Sequence, residues 1–232
     1  SHLNRWIMSG KYNEAYQKSI TDPEAFWGEA AENIQWNKPC DKVLDDSRAP
    51  FYRWFRGGEL NTCYNAVDYH CDTGRGEQLA IIYDSPITAT KKTFTYNELK
   101  YAVAHLAGAL REQGADKGDR VIIYMPMVPE AVIGMLACAR LGAVHSVVFG
   151  GFSPESLKDR IIDADCSIVI TADEGVRGGK TIPLKRNVDI ALAECPDVRH
   201  CLVVERTFAE IPWMEGRDIK HSKVFANASE DC

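Results

Sequence analysis

Several things are missing from this chain, and each absence removes a class of function. No uninterrupted apolar run approaches the roughly 20 residues that cross a bilayer, so no membrane-spanning helix is predicted. The amino terminus has no charged-then-apolar secretory pattern. There is no basic excess: the formal charge is -6 with a pI near 5.6, which argues against a nucleic-acid surface, so any anionic ligand has to be met by a local cluster of cations. The eight cysteines, Cys40, Cys63, Cys71, Cys138, Cys166, Cys195, Cys201 and Cys232, contain no C-x-x-C pair, so no metal site is expected. Several sit inside apolar runs as small core residues, which fits a reducing compartment, the cytoplasm or the mitochondrial matrix, better than secretion.

The usual catalytic signatures are missing as well. No G-x-G-x-x-G follows a predicted strand and no Walker loop occurs, which disfavours a nicotinamide-dependent dehydrogenase. The six histidines have neither an H-E-x-x-H nor a G-x-S-x-G companion, and no catalytic residue is assigned. Asp163 and Asp165 come after a glycine turn but close a helix, so they are not read as ribose-binding acids.

What is present divides the chain into two parts. Residues 1–76 read as an irregular, partly helical leader rich in Trp, Tyr, Asn and Asp; residues 1–7 read equally as a vector-derived tag ahead of a natural start at Met8 or as part of the natural chain. One helix is predicted in the leader, with Thr21 or Asp22 as cap, Pro23 in the first turn, and Phe26, Trp27, Ala30, Ala31 and Ile34 at helical spacing. The leader is expected to pack across the rest through Phe26, Trp27 and Trp54.

Residues 77–232 alternate short apolar runs with amphipathic segments, the pattern of an α/β fold with a mostly parallel sheet flanked by helices. Strands are predicted at 79–83, 120–124, 144–149, 167–171 and 201–205. Thr95 and Glu98 form a capping box ahead of an apolar stripe running from Leu99 to Leu110. Further helices are predicted from Pro129 to Gly142 and over 154–164 and 183–193.

Two motifs point to a ligand. Phe149-Gly150-Gly151-Phe152 lies between a strand and a Ser-Pro-Glu helix start, where bare backbone reaches a strand's carboxyl end. A plain tight connection with left-handed glycines is the other reading. Arg177 and Lys180 flank Gly178-Gly179, and glycine-flexed cations suit a phosphate; a solvated surface loop is the alternative.

The runs at 124–131 (YMPMVPEA), 135–155 (MLACARLGAVHSVVFGGFSPE) and 170–180 (ITADEGVRGGK) closely resemble short-chain acyl-CoA synthetases, the acetyl-CoA and propionyl-CoA synthetase group of the adenylate-forming enzymes. The segment at 19–27 (SITDPEAFW) resembles the amino-terminal part of the same group. The resemblance implies part of the large N-terminal domain of an adenylate-forming enzyme. It also implies activation of acetate or propionate with ATP and magnesium to acyl-AMP and pyrophosphate, with later transfer of the acyl group to CoA. It places Phe149, Gly150 and Gly151 along the pantetheine path, and Arg177 and Lys180 at the nucleotide end of CoA. Lys180 departs from the arginine common in the family.

The resemblance also puts the phosphate loop, the acyl pocket, and the ATP and magnesium sites downstream of the matched segments. The chain is therefore expected to be an N-terminal portion, inactive alone; a non-catalytic CoA-binding or assembly module is the alternative. Residues 53–55, 60–65 and 82–88 look propionyl-like, and residues 172–180 and 206–218 acetyl-like.

Overall fold

The computed structural model describes residues 10–227, and the chain divides into two compact units after Asn61. The expectations for residues 1–7 and Met8, and the residues His2 and Cys232, lie outside the described residues.

The first unit carries two helices where the sequence predicted one. Helix α1 (Lys11–Thr21) precedes α2 (Pro23–Ala31), and Asp22 separates them. Asp22 caps α2 by accepting from the Ala25 N–H at 3.1 Å, with Pro23 in the first turn where its missing N–H costs nothing. Strands β1 (Lys42–Asp45) and β2 (Arg53–Arg56) pair antiparallel. The Phe26, Trp27 and Trp54 rings meet one another edge-on within this unit, with centroids 5.1 and 6.4 Å apart.

The second unit opens with two π-helical turns, Tyr64–Asp68 and Cys71–Arg75. Strands β3 (Leu79–Ser85) and β4 (Thr90–Thr95) come next as an antiparallel hairpin. The strand predicted at 79–83 therefore belongs to a separate two-stranded sheet and not to the parallel one. Its exposure alternates along the chain, as expected of a ribbon with one face in water.

The parallel sheet is built from β5 (Arg120–Met125), β6 (Val144–Phe149), β7 (Ile168–Ala172), β10 (His200–Val204) and β11 (Asp218–Lys220), in the order β11-β10-β7-β5-β6. All four pairings are parallel. Strands β5 and β7 are buried almost throughout, which explains their unbroken apolar runs: a strand covered on both faces has no need to alternate.

The helices flanking this sheet include α3 (Tyr96–Glu112), α4 (Pro129–Leu141), α5 (Pro154–Asp163) and α6 (Leu184–Leu192). The α3 capping box forms as its spacing predicts, with reciprocal bonds of 3.2 and 2.8 Å between Thr95 and Glu98. Helix α4 ends on Gly142 at φ 74°, a left-handed position that glycine occupies without strain. Helices α3 and α4 pack on each other, as do α5 and α6. A short helix, α7 (His221–Asn227), closes the described chain.

The connections fix where a ligand can bind. From β5 the chain crosses through α4 to β6 on one side; β6 then returns through α5 to β7 on the other side of β5, and the sheet continues outward from there. The direction of winding thus reverses between β5 and β7, and a crevice opens beyond the carboxyl ends of strands at such a point.

Candidate functional site

A cavity of about 470 Å³ lies at that position. Its walls come from the carboxyl ends of three sheet strands and the residues just beyond them: Met125 to Met127 after β5, Val147 to Gly151 at the end of β6, and Arg206 past β10. Tyr83 to Ile87 of the β3–β4 hairpin form another wall, and Gly175 to Arg177 with Ile182 and Leu184 close it.

The two glycines after Phe149 are required by closeness and not by backbone sign. Positive φ occurs at Gly142, Gly178 and Gly179 but not at Gly150 or Gly151, so the left-handed turn that the sequence left open is not what forms. A Cβ on Gly150 would lie 3.4 Å from the Met125 carbonyl oxygen and 3.5 Å from Leu184. On Gly151 it would lie 2.5 Å from the Phe149 ring, closer than real contacts allow. Glycine here lets backbone and ring close up along the cavity wall.

A buried tyrosine holds the turn. The Tyr124 hydroxyl donates to the Phe152 carbonyl at 2.8 Å, has the Gly150 carbonyl at 3.2 Å, and accepts from the Asn187 amide at 3.2 Å. Burial pushes its phenol above the ordinary value, so it stays protonated and able to donate at neutral pH. Thr171 on β7 ties the neighbouring strand to the same residue, its hydroxyl donating to the Tyr124 carbonyl at 2.8 Å. Sequence reasoning missed Tyr124; a polar-tipped aromatic inside the otherwise aliphatic Val121-Ile122-Ile123 run was the available signal.

The segment around Arg177 is an ordered hairpin and not the flexible loop the sequence suggested. Strands β8 (Gly175–Arg177) and β9 (Lys180–Ile182) pair antiparallel, and Gly178-Gly179, at φ 56° and 73°, make a two-residue turn that needs left-handed residues. Arg177 and Lys180 are direct cross-strand partners. Only Arg177 joins the cavity wall: its guanidinium lies 4.6 Å from the Phe149 ring centroid, a cation–π contact that fixes both groups. Phe149 meets Phe152 edge-on at 5.7 Å and leaves half of its surface exposed. The structure therefore brings Phe149, Gly150, Gly151 and Arg177 together on one cavity, and leaves Lys180 exposed beside it.

Sequence reasoning also missed Asp173 and Arg206. Asp173 is buried at the end of β7, and its carboxylate accepts from the backbone N–H groups of Glu174, Arg206, Thr207 and Phe208, with shortest distances of 2.7, 3.0, 3.1 and 2.8 Å. The chain after β10 is thereby tied to the chain after β7, which places Arg206 on the cavity. An aspartate ending an apolar strand run was the sequence signal.

Elsewhere the chemistry is quiet. Burial raises the thiols of Cys138 and Cys201 to about 12 and that of Cys166 to about 11, so these three are packing residues without nucleophilic character. Among the described residues no group of three or more His, Cys, Asp or Glu could hold a metal, and no helix is long and apolar enough to cross a membrane.

Comparison with known proteins identifies the family. The model for the acetyl-coenzyme A synthetase N-terminus matches residues 12–66, and that for AMP-binding enzymes matches residues 70–231. The chain belongs to the AMP-binding enzyme family. It is 52% identical to an acetyl-coenzyme A synthetase of Magnetococcus marinus over 99% of its own length and 36% of that protein. It is 54% identical to acetyl-coenzyme A synthetase 2 of Pseudomonas aeruginosa over 98% of its length and 35% of that protein. Among solved structures it superposes on acetoacetyl-CoA synthetase from Streptomyces lividans with a TM-score of 0.83 and 28% identity, covering 95% of this chain and 34% of the other. The chain thus spans about a third of the length of the relatives it matches. As a member of this family it has the adenylate-forming α/β fold expected from the resemblance.

Proposed function

We propose that this chain is the amino-terminal, CoA-facing part of a short-chain acyl-CoA synthetase. The complete enzyme joins acetate or propionate to ATP, releasing pyrophosphate and forming acyl-AMP, and then passes the acyl group to the thiol of CoA. One observation carries this: about half of the residues, over nearly the whole chain, coincide with proteins named acetyl-coenzyme A synthetase. Those names favour acetate as the acid.

In this reading residues 1–76 are the leader of the synthetase type and residues 77–232 the first α/β portion of the AMP-binding domain. ATP, magnesium and CoA are the cofactors, with the ATP and magnesium sites outside this chain. Phe149, Gly150 and Gly151 border the pantetheine arm, while Arg177 and Lys180 supply charge for the phosphates. A cavity with bare glycine backbone, apolar walls and an arginine held over an aromatic ring suits a long thin arm ending in a phosphorylated nucleotide. The compartment is the cytoplasm or the mitochondrial matrix. The partners are small molecules, and the acidic balance of the chain fits an absence of nucleic acid.

The test is pyrophosphate release by the complete encoded protein with acetate, propionate or butyrate, with and without CoA. The expected result is acid-dependent release, fastest with acetate, and thioester formation only when CoA is added. CoA binding without any acid-dependent release of pyrophosphate would replace this reading by a non-catalytic CoA-binding module.

A further inference from the structure

Arg206 stands on the cavity wall with Arg177, although no motif singles it out. Its position is not that of a wandering surface arginine. The backbone N–H donates to Asp173 at 3.0 Å, the next two N–H groups bind the same carboxylate, and the segment is anchored where it leaves β10. The side chain is half-buried, and its Nε is shielded from solvent with no hydrogen-bond acceptor among the described residues.

The acids near it are committed elsewhere. Asp173 serves four backbone donors, Glu174 accepts from the Thr207 hydroxyl at 2.8 Å, and Glu205 lies 3.8 Å from Lys220. A guanidinium on a ligand cavity, with no carboxylate paired to it among the described residues, is arranged to meet an anion that arrives with the ligand.

We propose that Arg206 is the second cation of this cavity, and that it binds phosphate oxygens of CoA together with Arg177. This rests on the CoA reading of the cavity and changes its electrostatics, because Lys180, the other cation indicated by sequence, does not line the cavity. A planar guanidinium offers its two terminal nitrogens as a fork matching two phosphate oxygens, which an ammonium cannot reproduce. CoA has phosphate at two places, the pyrophosphate bridge and the ribose 3′ position, and dephospho-CoA separates them.

The experiment measures CoA and dephospho-CoA affinities by calorimetry on the complete encoded protein and on its Arg206→Gln, Arg206→Lys, Arg177→Ala and Lys180→Ala variants. Thermal melting of each variant checks the fold. Arg206→Gln is expected to weaken CoA roughly 10- to 100-fold, as loss of a charged hydrogen bond does. Arg206→Lys should fall between it and the parent, and Lys180→Ala, which removes a charge exposed beside the cavity, should weaken CoA by less than Arg206→Gln does. If the Arg206→Gln loss persists with dephospho-CoA the contact is to the pyrophosphate, and if it vanishes the contact is to the 3′-phosphate; either supports the proposal.

Parental CoA affinity in Arg206→Gln, with Arg177→Ala impaired, overturns the role of Arg206 and leaves the CoA cavity standing. The same holds if Arg206→Gln loses CoA, dephospho-CoA and ATP affinity equally and melts early, which marks a general loss of structure and not a phosphate contact. Absence of CoA binding by the parent protein refutes the functional reading itself.

Discussion

Replacing Lys185 by Met should be among the most destabilising single changes in the second unit. The Lys185 side chain is fully buried, and its ammonium contacts Asp189 at 2.7 and 2.9 Å, Asp218 at 2.9 Å and the Pro212 carbonyl at 3.0 Å. Arg217 bonds both acids, reaching Asp218 at 2.8 Å, so two cations and two carboxylates balance beneath strand β11. Methionine keeps the stem and removes the charge, which leaves the buried set with one uncompensated negative charge. Breaking a buried pair from one side costs about 3 to 5 kcal/mol. Arg217 and the Met214 N–H, at 2.8 Å, still serve Asp218, so the lower end, about 3 kcal/mol, is expected. For a chain of this size that corresponds to a fall in melting temperature of roughly 6 to 12 °C.

A pH signature accompanies the loss. Burial pushes the Asp218 carboxyl up, but hydrogen bonds from Arg217 and Lys185 outweigh burial and hold it below its ordinary 3.8. Its contribution to stability is therefore complete above about pH 4 and is lost as pH falls through the depressed folded value. Removing Lys185 shrinks that depression, so the variant should lose less additional stability than the parent between pH 4 and pH 2. The assay is thermal or urea unfolding of both proteins across that range, with Lys220→Met as the comparison. Lys220 is 56% exposed and 3.8 Å from Glu205, so its loss should cost less than about 1 kcal/mol. A Lys185→Met protein melting within about 2 °C of the parent, or no more affected than Lys220→Met, would refute the reasoning.

Two further outcomes concern the cavity wall. Gly151→Leu places side-chain atoms where the Phe149 ring lies 2.5 Å from an ideal Cβ, so the ring and the Arg177 stacked on it must move; thioester formation by the complete enzyme should fall at least tenfold while pyrophosphate exchange into ATP stays near the parent, and equal loss of both half-reactions would remove Gly151 from the CoA path. Tyr124→Phe leaves the Phe152 carbonyl and the Asn187 amide without their shared partner, which should cost about 1 to 3 kcal/mol in urea unfolding, and an unchanged unfolding midpoint would show that the hydroxyl does not hold the turn.

How far the sequence could be read depends on the range of the forces involved. The α3 capping box, the proline-started α4 and α5, and the buried strands β5 and β7 were visible because each is set by neighbours within a few residues or by continuous burial. The hairpin β3–β4 was misassigned because a five-residue apolar run has the same pattern in a ribbon as in a parallel sheet, and only its partner distinguishes them. Of the two readings of Gly150-Gly151, the left-handed connection is not what forms, and sequence alone could not separate them: a glycine needed for close approach to a ring looks identical to one needed for a left-handed turn.

Asp173, Tyr124 and Arg206 escaped for a different reason. Asp173 meets three of its four backbone donors 33 to 35 residues away, and Tyr124 meets its carbonyls 26 and 28 residues away, so a polar group in or at the end of an apolar run is the whole local signal and names no partner. The sequence thus displayed the surface a ligand would touch, carried on local turns, and concealed the supports that hold it, carried on contacts between strand ends. A switch point in a parallel sheet produces this division: its strands are adjacent in space and remote in sequence, so the residues that fix the cavity can be found only after the strand order is known.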